Sequence, residues 1–316
     1  MHRPSAFVAC SLCLVLGVPH LAVADDEELV VKQLLELAEQ RALKSIRTSY
    51  VLTRHLEGES EAIAQTKLAK GFFPKLEQRM LIDLQSDRFF KDRLVTQNRP
   101  GQVKPVRTVL AWDLTTFVSY HPDYEQGRIG NKLNKQAGDE GEKFDKHDPF
   151  LFACLLCAPE PHGLGIDDGS LVSWLRGGEV HKEFEEIDGR RCWVVDRKQP
   201  FGSLIARAWL DVERSLAPVK FQKYEYHRPD VVLECHAQEF VEITGDGRSI
   251  WLPTRIEEVV HWNKGVVIKK SLAVDKDATR INPKLSDASF QFDFPAGTKV
   301  QDEIANRNYV VPVLGQ

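Results

Sequence analysis

From Leu204 to Val274 apolar and polar residues alternate in short runs, each closed by turn residues, and this alternation restricts the possible fold more than any other feature of the chain. Leu204, Ala206, Ala208 and Leu210 fall on one face, and Ile205, Arg207, Trp209 and Asp211 on the other. That is the period of a half-buried strand. Asp211 to Pro218 turns the chain. Pro218, with its fixed φ and no amide donor, suits the entry to the returning strand, Val219 to Tyr226. Val231, Leu233, Cys235, Ala237, Val241 and Ile243 form a further alternating set, broken only by Glu239 and closed by Gly245-Asp246-Gly247. Ile256, Val260 and Trp262 before Asn263-Lys264-Gly265, with Val266, Ile268, Leu272 and Val274 after it, predict a hairpin.

The same pattern extends upstream. Asp25 or Asp26 can cap a first helix, with Glu28 placed as in a capping box, and Val31, Leu34, Leu35, Ala38, Ala42 and Ile46 give it one apolar stripe. Strands are expected at Tyr50 to Leu56, Leu76 to Leu84, Arg88 to Thr96, Val106 to Leu114 and Phe117 to Tyr120. Residues 121–147 are polar and read as an exposed insertion, and Phe150 to Cys157 as a short buried helix. Strands resume at Leu171 to Leu175, at Val180 to Ile187 and, beyond an Asp188-Gly189 turn, at Arg191 to Asp196. About ten strands with few helices imply an α+β fold, one strongly curved antiparallel sheet.

Residues 1–24 read as a secretory signal: Arg3 is the positive end, Phe7 to Val18 the apolar core, and Ala22-Val23-Ala24 the cleavage site. The remainder, 25–316, is expected to be one exported domain, with no segment apolar enough for a spanning helix and so not an integral membrane protein. It carries 41 basic against 46 acidic residues, and with no basic tract this argues against a nucleic-acid partner. Four cysteines remain, Cys154, Cys157, Cys192 and Cys235, an even number for which disulfides are the default in an exported chain; sequence does not choose the pairing.

Signatures of catalysis are missing. The chain has no phosphate loop, no Gly-x-Ser-x-Gly, no His-Glu-x-x-His and no dinucleotide fingerprint, and its histidines are scattered singly. Cys154-Leu155-Leu156-Cys157 has the spacing of a redox or zinc pair, but its leucine and alanine neighbours would raise the thiol pKa. Asp167-Asp168 lacks the rest of a calcium loop. Glu257 and Glu258 are neighbours on a strand, point to opposite faces and cannot act together. Neither a metal nor a cofactor is expected.

Trp209-Leu210-Asp211 with Ala217-Pro218-Val219-Lys220, then Trp251-Leu252-Pro253-Thr254 and Phe294-Pro295-Ala296-Gly297-Thr298-Lys299-Val300, resemble in their succession the bacterial outer-membrane lipoprotein carrier and sorting proteins of the LolA/LolB-like superfamily. Glu186 to Val195 is similar to a hairpin of the same group. The resemblance implies an unclosed half-barrel with a helical lid on its concave face, and a periplasmic, non-catalytic carrier of lipid or lipoprotein acyl chains, served by an envelope donor or acceptor. Its cavity would be lined by Leu52, Leu56, Met80, Ile82, Leu84, Leu110, Trp112, Trp209, Phe221, Ile256 and Trp262. Two other readings stay open: an envelope sensor or scaffold binding a protein partner, through the insertion at 121–147, and a thiol oxidoreductase using Cys154 and Cys157.

Overall fold

One strand holds the two halves of the sheet together. The computed structural model describes residues 27–59, 73–86, 88–99, 102–131, 171–198, 202–225, 230–261 and 265–313. In it β1 (Ser45–Glu57) pairs along one edge with β2 (Lys75–Asp83) and along the other with β14 (Val267–Val274). From β2 an antiparallel meander continues through β3 (Arg88–Arg99), β4 (Gln102–Trp112), β5 (Phe117–His121) and β6 (Gln126–Gly130). From β14 a second meander runs back through β13 (Arg248–His261), β12 (Val231–Gly245), β11 (Ala217–Tyr224), β10 (Leu204–Asp211) and β9 (Arg190–Lys198). The short β7 (Glu179–Val180) and β8 (Glu185–Ile187) both pair with β9.

The chain then returns to the opposite end. Past β15 (Arg280–Ile281), β16 (Lys299–Asp302) joins β6 in parallel and carries β17 (Arg307–Val310) at its outer edge. Gly127 of β6 permits this approach: a Cβ there would lie 2.2 Å from the ring of Phe294, which meets Tyr120 and Phe292 edge to face. All seventeen strands among the described residues belong to one sheet, and no pairing joins its two ends. It is an open, strongly curved antiparallel sheet. Register shifts at Trp209/Leu210 in β10 and around Glu239 in β12 add local bends.

Two helices, α1 (Glu27–Arg41) and α2 (Leu171–Gly177), cover part of the concave face. Leu34 and Ala38 of α1 and Leu171, Trp174 and Leu175 of α2 pack on Trp193, Val195, Ala206, Ala208 and Leu210 of β9 and β10. Each leucine or valine among them contributes about 1.5–3 kcal/mol when fully buried. The last residue of α1, Arg41, is 2% exposed. Its guanidinium donates to the carbonyls of Arg214 (3.3 Å), Ser215 (3.2 Å) and Trp251 (2.6 Å), which fixes the helix end to the β10–β11 turn and to β13.

Several sequence expectations are corrected. Leu171 to Leu175 is helix α2: Leu171, Val172, Trp174 and Leu175 are all buried at helical spacing. Val180 to Ile187 divides into β7 and β8. Ile46 belongs to β1, because α1 stops at Arg41. The start of the expected insertion is structured, since β6 lies at 126–130 with Gly127 and Gly130 buried. After Val274 the structure adds three short strands beyond those expected, at 280–281, 299–302 and 307–310. The signal at 1–24, the residues 132–147 and the segment Phe150 to Cys157 lie outside the described residues.

Candidate functional site

Because strands alternate in facing, the register turns the concave face into rows of side chains crossing the sheet. One row is apolar: Ile46, Ile82, Phe89, Trp112 and Phe117 on β1 to β5. Another joins both meanders, with Leu76 and Leu52 continuing into Leu272, Ile256 and Ala237. Ile46, Leu52, Leu76, Ile82, Phe89, Leu252, Ile256 and Leu272 form one buried cluster, and Phe221 links it to the helix-covered cluster through an edge contact with Trp174 (centroids 5.7 Å).

Most residues assigned to the lining from sequence come together here. Leu52, Met80, Ile82, Leu84, Leu110 and Ile256 belong to this cluster, with Trp112 and Phe221 packed against it. Leu56 is half-buried at the end of β1, opposite Ile268. Trp209 is not on this face. It packs with Cys192, Val194 and Val219 in a separate cluster, and its indole N–H donates to Glu185 Oε2 at 2.8 Å. The alternation that puts Ala208 and Leu210 inward turns Trp209 outward with Arg207 and Lys220, whose cations lie 5.8 and 5.3 Å from its ring. Trp262 lies outside the described residues.

The cysteine expectation is also corrected where it can be seen. Cys192 and Cys235 are free, buried thiols. Cys192 belongs to the cluster on the Trp209 face and Cys235 to the concave one, so they point away from each other. Burial, reinforced by the charge of Asp211, pushes the Cys192 thiol up to about 12. Burial pushes Cys235 well above its usual value too, and the adjacent Glu258 carboxylate, 3.4 Å from its sulfur, adds to this. Cys154 and Cys157 lie outside the described residues.

Two polar rows cross the apolar lining, and sequence reasoning passed over them. In the first, Tyr50, Gln78, Arg93 and Thr108 stand side by side on β1 to β4. Gln78 Nε2 donates to Tyr50 Oη (2.7 Å), and Thr108 Oγ1 lies 3.4 Å from His121 Nδ1. Arg93 Nε is buried without a hydrogen-bond partner. In the second, Arg54, Lys270, Glu258, Cys235 and Phe221 are aligned, with Lys270 and Glu258 forming a buried ion pair. Arg54 lies 3.8 Å from the centroid of the Phe73 ring. Leu76-x-Gln78-x-Met80 and Phe89-x-Lys91-x-Arg93-x-Val95 carried the signal, as polar residues set at inward positions of otherwise apolar alternation.

No family model and no curated protein match the chain. Solved structures similar to it include a DUF1329 family protein from Desulfovibrio piger, at 13% identity and TM-score 0.45, the match covering 85% of this chain and 98% of that one. A LolA superfamily protein, NE2245 from Nitrosomonas europaea, is similar at 12% identity and TM-score 0.41, with 84% and 99% covered. LprF from Mycobacterium bovis is similar at 9% identity and TM-score 0.29, with 82% and 95% covered. Among the described residues no helix is long and apolar enough to cross a membrane.

Proposed function

We propose that the concave face binds the acyl part of a lipid or lipoprotein and that the protein acts in the periplasm as a carrier without catalysis. The observation behind this reading is the register of the apolar face, in which the row through Leu52 runs unbroken from β1 into both meanders. Among the described residues α1 and α2 pack against the β9 to β11 portion of this face, and its other apolar rows form a buried cluster that a ligand would have to enter. An acyl chain suits such a surface, at about 0.8 kcal/mol for each CH₂ buried. The Tyr50, Gln78, Arg93 and Thr108 row gives the same face hydrogen-bonding groups, so its occupant is an amphiphile rather than plain hydrocarbon. An envelope donor and acceptor complete the proposed cycle.

Native mass spectrometry of protein isolated from the periplasm without detergent, followed by solvent extraction, tests the reading. A discrete added mass that extracts as phospholipid or acylated peptide is expected. A clean unliganded mass, with no later uptake of a fluorescent fatty acid, would reject it.

A further inference from the structure

The outer face carries a basic pocket that the carrier reading does not use. Its volume is roughly 430 Å³, within the range of about 300–1,000 Å³ typical of small-molecule sites, and Arg190, Arg214, Lys276, Phe240 and Trp251 contribute to its walls. Arg190 follows the Asp188-Gly189 turn, where both residues have positive φ, and Arg214 lies in the turn between β10 and β11. Lys276 follows β14, so three distant parts of the chain supply its cations.

The two guanidinium groups are held by rings and by one acid. Arg190 stands 4.8 Å from the Phe240 centroid and donates from Nη2 to the Gln238 carbonyl at 3.0 Å. Arg214 lies 5.2 Å from the Trp251 centroid and 5.7 Å from that of Phe240, and its Nη1 donates to Asp211 Oδ2 at 2.6 Å. Arg190 Nε reaches the same oxygen only at 4.0 Å. Arg190 Nη1 and Arg214 Nε are buried donors without an acceptor.

Charge is also out of balance. Arg41 lies beneath, bonded to the carbonyls of Arg214, Ser215 and Trp251 rather than to a carboxylate. The pocket wall itself carries three cations, Arg190, Arg214 and Lys276, against one carboxylate, Glu239, with Asp211 bonded to Arg214 behind it. Asp211 already accepts the amides of Glu213 and Arg214, and exposed Glu239 lies 3.9 Å from Arg255. Lys276, flanked in sequence by Asp275 and Asp277, is exposed and forms no ion pair among the described residues. Arginine forks beside an unpaired lysine are the donor set that phosphate and carboxylate groups select.

We infer that this outer-face pocket binds an anionic group of phosphate type, presented by a free phosphate ester or by the headgroup of an acidic lipid. The inference is independent of the concave face.

The test uses the purified full chain, titrated calorimetrically with inorganic phosphate and sedimented with vesicles of phosphatidylglycerol or of phosphatidylcholine alone. Saturable phosphate binding that weakens about tenfold in Lys276→Gln and at least as much in Arg214→Gln supports the site with free phosphate as a source. Capture by phosphatidylglycerol vesicles only, lost in the same variants, supports it with the lipid headgroup as the source. Binding to neither probe, or binding that both variants leave unchanged, overturns it. Lys276 is exposed, so its variant decides the matter even if Arg214→Gln fails to fold. Fatty-acid uptake by Lys276→Gln should equal that of the parent, which keeps failure of this site distinct from failure of the carrier reading.

Discussion

Replacing Glu258 by Gln should be among the most damaging single changes on the concave face. Its side chain is 4% exposed and that of its partner Lys270 is 3% exposed, so losing either charge removes a counter-charge from a group held away from water. Breaking a buried pair in this way costs about 3–5 kcal/mol. Against a folding free energy of about 5–15 kcal/mol this is a large fraction of the total. At about 2–4 °C per kcal/mol it lowers Tm by on the order of 10 °C. Glu258→Leu combined with Lys270→Met, which removes both charges, should fall within about 1 kcal/mol of the parent or exceed it. Urea unfolding of the parent, the Gln variants and the double replacement, with m-values compared to confirm a common unfolded state, measures all of this. A Glu258→Gln cost below about 1 kcal/mol, or a double replacement as unstable as the single ones summed, would refute the argument.

Acid should destabilise the protein through carboxylates held below their usual range. Burial pushes Asp196 up, but two bonds from Arg207 (2.6 and 2.8 Å) and one from His181 (3.0 Å) prevail and lower it, and Ser86 and Arg88 do the same for Asp83. The stabilisation is present above the unfolded value of about 3.9 and is lost as pH falls through the lower folded value, so urea midpoints should drop below about pH 4, less steeply in Asp196→Asn. Cys192, with its thiol at about 12, should resist iodoacetamide at pH 8 until the protein is unfolded; rapid labelling of the native protein, read by peptide mass mapping, would contradict its burial. Gly127→Ala places a Cβ 2.2 Å from Phe294 and should cost about 1–3 kcal/mol by thermal melting, with part of the loss recovered in a Phe294→Leu background.

The long hairpins were legible because strands such as β12 and β13, at 15 and 14 residues, repeat the alternation often enough to fix facing and register. Helix α2 was not, since a seven-residue run fits either period and its four buried residues decide only once β9 and α1 are in place. Strands of two to four residues, as in β7, β15 and β16, are too short to show any period and exist through their partners. The lining residues follow from the resemblance rather than from alternation, and alternation itself sets Trp209 on the face opposite Ala208 and Leu210, where the structure has it. The polar rows depend on register between strands far apart in the chain, and the outer basic pocket gathers residues 190, 214 and 276 without any local motif.

The position of β1 sets a schedule for assembly. Thr48 finds Met80 soon after both are made, but Tyr50 must wait for Val274, over 220 residues further on, and β6 waits about 170 residues for β16. An emerging chain therefore builds the first meander long before the second is complete, and β1 holds an open edge throughout that interval. Folding should be slow and governed by the arrival of the C-terminal third. A holding factor, or delivery of the chain before it collapses, would matter more for this protein than for one whose neighbours in sequence are also its neighbours in space.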